Sequence, residues 1–204
     1  RGILSGGEPG TRRAVSTFPT ITALNEDHLL ATYRVGTTKD SADETIELRR
    51  SDDGGRTWGA PVAPFDNELE GKQGSLKVAY VTRLGREHLI CAAMWVDRET
   101  YPGKPLFNEQ TEGCLPMAIV LADSHDLGRT WTPWRVMPLP DEIGPPSLTS
   151  PLLRLASGKL AASIETNKQY DDATRWFQRV VYVYSDDRGQ TWGSPVTVSQ
   201  DPTE

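Results

Sequence analysis

SDDGGRTW (Ser51–Trp58) decides the fold, because the chain repeats it as SHDLGRTW (Ser124–Trp131) and SDDRGQTW (Ser185–Trp192). All three fit S-x-D-x-G-x-T-W without a mismatch. Each copy follows a β-rich run (TIELRR, PMAIVLAD, RVVYVY) and precedes a short apolar one (APVAPF, TPWRVMPLP, SPVTVS), so it marks a turn between strands. Gly55, Gly128 and Gly189 suit a left-handed backbone position. Ser51, Ser124 and Ser185 open the three copies, and Asp53, Asp126 and Asp187 can accept backbone N–H bonds that close each turn. Trp58, Trp131 and Trp192 are expected to tuck beneath it and bury an apolar face. A residue present in every unit belongs to the unit's architecture, so these aspartates are read as structural rather than catalytic.

The repeat extends beyond the octamer. Two further strand-like runs precede each copy: STFPTITAL and HLLATYRV, LKVAYVTRL and EHLICAAMWV, LTSPLLRL and KLAASIE. The short polar turns NED, GR and ASG join them as hairpins. Each unit therefore predicts a four-stranded antiparallel meander, and tandem meanders predict an all-β propeller. The blades fall at approximately 16–66, 74–140 and 147–200, within one partial propeller domain spanning 1–204. Propellers close with roughly 4–8 blades, so three imply that the remaining blades lie outside this stretch. RGILSGG at the start reads as an outer strand of a further blade.

Composition narrows the partners. Lys and Arg number 22 against 28 Asp and Glu, and no basic run occurs, which argues against nucleic acid. No apolar stretch approaches the roughly 20 residues of a transmembrane helix. Cys91 and Cys114 lie on strands whose expected pairing sets Cys91 opposite a residue near Val120, too far from Cys114 for a disulfide. Both read as reduced. His28, His88 and His125 are scattered over turns and read as solvated, and no Cys/His spacing suits a metal. The sequence calls for no metal and no cofactor.

In a propeller the ligand meets inner-strand ends and the loops beyond them. The long loop after the second strand of each unit is polar with aromatics or amides: Tyr33, Arg34, Asp40 and Asp43 in the first, Trp95, Asp97 and Arg98 in the second, Glu165 and Asn167 in the third. Such a composition suits a hydroxylated ligand.

The octamer resembles the Asp box, or BNR repeat, of the sialidase (neuraminidase) superfamily, and the likeness runs from about Ser16 to Ser199. It is closest in KDSADETIELRRSDDGGRTW (Lys39–Trp58). The resemblance implies a six-bladed propeller, a secreted or periplasmic protein, and a glycan or sialoside-like substrate. It implies Asp40 as general acid/base, with Asp43 as the second candidate, and Arg34 as a substrate contact. Trp95, Asp97, Arg98 and Glu165 join the candidates for substrate binding. The implied mechanism is retaining, with a tyrosine nucleophile served by a glutamate, an aspartate protonating the leaving oxygen, and three arginines gripping a carboxylate. The acid needs a raised pKa, which a partly closed loop could supply. The nucleophilic tyrosine, the glutamate and the later arginines belong to blades outside this stretch, and Glu165 has no secure counterpart. The family opens its first blade with Phe/Tyr-Arg-Ile-Pro, whereas this chain has Phe18-Pro19-Thr20-Ile21, with the aromatic and the proline but no clamp arginine. Two readings follow: a sialidase-like exo-glycosidase, and a non-catalytic Asp-box propeller that binds glycan or protein.

Overall fold

The computed structural model describes residues 3–202. Three antiparallel sheets follow one another along the chain. The first is β1 (Val15–Ala23), β2 (Leu29–Gly36) and β3 (Thr45–Ser51), in that order. The second runs β4 (Glu68–Leu69), β5 (Lys72–Arg83), β6 (Leu89–Asp97), β7 (Met117–Ser124) and β8 (Arg135–Val136). In the third, β9 (Ser147–Leu148) and β10 (Leu153–Arg154) lie along opposite ends of β11 (Leu160–Glu165), followed by β12 (Arg179–Ser185) and β13 (Val196–Gln200). One 3-10 turn, Asp141–Ile143, precedes the third sheet.

The meanders depart from four even strands at several prolines. In unit one the fourth strand shrinks to a single Leu48–Val62 bridge, because Pro61 and Pro64 flank Val62 and lack the N–H a ladder needs. Pro133 and Pro138 likewise leave unit two's last strand only two residues. Pro151 splits the expected LTSPLLRL strand into β9 and β10. Of the expected outer strand RGILSGG, Arg1 and Gly2 lie outside the described residues, and residues 3–7 form no strand. The hairpin turns repeat faithfully: Leu24 N–H donates to His28 O, Leu84 to His88 O and Leu155 to Lys159 O, at 2.8, 2.9 and 2.9 Å.

The middle sheet is buried on both faces, as the near-continuous apolar run of β6 requires. Alternation along β6 assigns its side chains. Leu89, Cys91, Ala93 and Trp95 pack with Leu30, Ile46 and Leu48 of unit one. Ile90, Ala92 and Met94 pack with Leu148, Ile164 and Val183 of unit three. The sheets thus stack face to face in a propeller-like series. Cys91 pairs with Ala122, two positions from the expected Val120, and both cysteines are buried and free.

The three octamers share one hydrogen-bond pattern. Ser51 Oγ donates to Asp53 Oδ1 and accepts Gly55 N–H, each at 2.8 Å. Asp53 also accepts the Thr57 N–H at 2.9 Å and hydroxyl at 2.6 Å. Ser124, Asp126, Gly128 and Thr130 repeat this, as do Ser185, Asp187, Gly189 and Thr191. These bonds hold the aspartates ionised, with Asp53 and Asp187 lowered to about 2 by their Thr and Ser donors. Gly55, Gly128 and Gly189 have φ of 86°, 81° and 85°. A Cβ on Gly128 would come within 2.9 Å of Leu30 Cδ2, and one on Gly189 within 2.9 Å of Ile90 Cδ1. The second and third turns therefore press on the second strand of the preceding unit, and the first faces Leu29 of its own. Trp58, Trp131 and Trp192 lie half-buried beneath their glycines.

Candidate active site

The first strands of the three units converge on a cleft of about 600 Å³. Phe18 of β1, Lys77 and Tyr80 of β5, Ser147 of β9 and Glu165 of β11 line it, together with Lys39 and Asp40 from the loop after β2. Leu106 and Phe107, from the long loop of unit two, add an apolar wall.

Two bulges aim the first strands at this cleft. The β1–β2 register skips between Thr17 and Thr20, and Phe18 takes φ 51° ahead of Pro19. Left-handed backbone is costly for an aromatic residue, and such strain gathers at functional sites. The β5–β6 register likewise skips between Leu76 and Val78, leaving Lys77 as the extra residue. A bulge re-aims a side chain in this way.

Beneath the cleft lies a charged cluster. Arg34 and Glu44 are completely buried and ion-paired. The Arg34 guanidinium sits 5.2 Å from the centre of the Phe18 ring. Lys77 is only 8 % exposed, and its ammonium donates to Asp40 Oδ1 at 2.7 Å, Glu44 Oε1 at 3.1 Å and Lys39 O at 3.3 Å. Arg98 approaches Asp40 at 3.5 Å and is steadied by its Nε–H bond to Ser75 Oγ at 2.8 Å. Asp40 is about one-third exposed. Burial pushes its carboxyl up, but the hydrogen bond and charge of Lys77, with Arg98, outweigh this and hold it below the usual carboxylate range. The raised value needed by an acid near neutral pH is therefore not what this geometry gives. Burial pushes Glu44 up against the opposing charges of Lys77 and Arg34, and burial lowers the Arg34 guanidinium. Tyr80 also faces the cleft, its phenol raised by burial.

The structure separates the sequence candidates. Asp40 and Glu165 line one cleft. Arg98 stands behind Asp40. Arg34 lies under Phe18 rather than on the wall, so it supports the site from below. Asp43 is spent on its own loop, accepting the Thr37 N–H at 3.1 Å and the Thr37 hydroxyl. Trp95 is a core residue: its Nε1–H donates to Asn67 O at 2.8 Å and its ring covers Gly74. Asp97 is 2 % exposed and closes a turn through Glu99 N–H, Thr100 N–H and Lys72. His88 also departs from the solvated reading. It bonds Asp123 at 2.7 Å and stacks on His125 at 4.4 Å between ring centres.

Sequence reading missed Lys77 and gave Glu44, within the polar loop of unit one, no role of its own. The readable sign was a lysine inside the otherwise apolar run LKVAYV, which reads as a strand buried on both faces, where a charge needs a partner.

Successive sheets that each carry the same octamer turn, with a polar cleft where their first strands converge, make this a propeller-like all-β protein. The BNR/Asp-box repeat family matches residues 183–192, the third octamer and the strand leading into it. No curated protein matches the chain by sequence. Among solved structures, the Hadza microbial sialidase Hz136 superposes with a TM-score of 0.70 at 19% identity, covering 93% of this chain and 39% of that one. Trypanosoma rangeli sialidase gives 0.59 at 15% identity, covering 86% and 29%. A polysaccharide lyase of family PL25, an ulvan lyase, gives 0.58 at 14% identity, covering 89% and 43%. The chain spans 39% of the length of Hz136. The chain thus carries a BNR/Asp-box repeat at its third octamer, and its fold is similar to that of sialidases.

Proposed function

We propose that the protein is a carbohydrate-active enzyme, a sialidase-like exo-glycosidase that removes a terminal sugar from a glycan, with Asp40 as its general acid. The carrying observation is that Asp40 stands partly exposed on a cleft shared with Glu165, Phe18 and Phe107. Carboxylates beside apolar and aromatic walls suit a sugar, which offers hydroxyls at its rim and C–H faces. The sialidases and the ulvan lyase of similar fold carry names of carbohydrate enzymes, which supports the substrate class. On this reading residues 16–66, 74–140 and 147–200 are three blades of a six-bladed propeller, and further blades complete the cleft.

The ion pair between Asp40 and Lys77 favours a second reading, a non-catalytic glycan-binding site, because a fixed carboxylate accepts hydrogen bonds from sugar hydroxyls. Turnover decides between the two. The full-length protein is assayed with fluorogenic sialosides and other glycosides before and after Asp40→Asn. Loss of about 10²-fold or more in kcat supports the acid role. No turnover of any glycoside, with glycan binding that Asp40→Asn weakens, supports the second reading and removes the first.

A further inference from the structure

We propose that Lys77 is a positioning residue: raised by the β5 bulge and anchored on buried Glu44, its ammonium fixes the Asp40 carboxylate and sets the pH range in which Asp40 can give up a proton. This rests on the glycosidase reading and deepens it.

The geometry is that of a clamp rather than of a substrate contact. An ammonium has three N–H donors. All three of Lys77 are taken, by Lys39 O, Asp40 Oδ1 and Glu44 Oε1. The cation therefore has no donor left for a ligand while the pair stands. Glu44 cannot drift, because Arg34 grips the same Oε1 from below and Ser41 N–H binds it at 3.2 Å. The bulge is the device that turns Lys77 from the ladder toward this group. The other charges around Asp40 are Arg98 at 3.5 Å, Arg34 beneath, Lys39 next in the chain, and Glu165 in the same cleft.

The sign follows from this set. Cations around Asp40 outnumber the carboxylates, and the nearest is Lys77, so the pair favours the charged form of Asp40. The protonated form, which a leaving oxygen needs, is populated only at acidic pH. Removing the Lys77 charge leaves burial to act with less opposition, and the acid form then persists to higher pH.

The test replaces Lys77 with Met and with Gln, both uncharged, and with Arg, which keeps the charge. Asp40 is titrated directly by carboxyl ¹³C NMR, its resonance assigned by its loss in Asp40→Asn, and the pH profile of glycoside turnover is recorded in parallel. Both uncharged variants are expected to raise the Asp40 midpoint by roughly one to three pH units, with the falling limb of the profile moving equally, while Lys77→Arg stays near the parent. An unmoved midpoint in either folded uncharged variant overturns the proposal. A raised midpoint in a protein that turns over no glycoside keeps Lys77 as the clamp of a binding site and removes the glycosidase reading instead.

Discussion

Two candidate aspartates do opposite work. Asp40 is left open to the cleft, whereas Asp97 is consumed by its own turn. The difference lies three residues on, where Thr100 donates both its N–H and its hydroxyl to Asp97, at 2.8 and 2.7 Å. Asp43 is captured in the same manner by Thr37. A loop carboxylate with a threonine placed to close an Asx turn is thus a structural residue, and that much was readable from D97-R-E-T100. What was not readable is that Lys77, distant along the chain, reaches Asp40. Asp97→Ala removes the acceptor of four donors, two of them backbone N–H groups of the turn, so we expect it to cost about 1–2 kcal/mol in denaturant unfolding. Burial pushes the Asp97 carboxyl up, but Thr100, Lys72 and Glu99 N–H bring it down to about 2, below its unfolded value near 4. A depressed carboxylate stabilises fully above the unfolded value and loses that contribution as pH falls through the folded one. The gap between Asp97→Ala and parent should therefore be widest above about pH 4 and close toward pH 2. A gap that stays constant across that range would show that lost packing, not the carboxylate, carries the effect.

Strands were legible wherever an apolar run went uninterrupted, as in β2, β6 and β11, and illegible where proline broke the ladder, as in the fourth strands of units one and two. The cross-unit contacts were invisible, since they join residues far apart in the chain. Thr22 Oγ1 donates to Val81 O at 2.7 Å, and Thr82 Oγ1 to Leu152 O at 3.0 Å, so the first strands of units one and two are each tied to the next unit by the same residue type. Arg50 Nη1 reaches Leu127 O at 2.6 Å, and Arg135 Nη1 reaches Gly189 O at 2.5 Å, so the second and third octamer turns are also held by a cation of the preceding unit. These ties explain why an exposed turn motif recurs in full: it is part of the joint between sheets. Thr82→Val keeps the shape of the side chain and removes only the hydroxyl, leaving Leu152 O short of a donor. The expected cost is about 1 kcal/mol, read as a fall in Tm of roughly 2–4 °C, with Thr22→Val similar. An unchanged Tm in both variants would mean that apolar contact alone joins the first strands.

At the scale of the molecule the sequence announced the architecture and half concealed the site, for one physical reason. The architecture is written three times over by local turn chemistry, whereas the cleft is assembled once, from bulges and buried charges that no periodicity marks. The same architecture makes the middle sheet common to both apolar clusters, since β6 and β7 send alternate side chains to either side. Losing one flanking sheet exposes a full face of the middle one, so the three should unfold together. The two thiols report on this without mutation. Cys91 lies in β6, in the cluster shared with unit one, and Cys114 ties the loops of units two and three through its N–H bond to Lys168 O at 3.0 Å. Burial raises both thiols, Cys114 to about 12, so neither presents thiolate to a reagent while folded. Labelling with a disulfide reagent across a urea series should modify both cysteines along one coincident transition, at the midpoint seen by circular dichroism. Modification of Cys114 at lower urea than Cys91 would show the third sheet parting from the second before the core opens, and the shared-sheet account of cooperativity would fail.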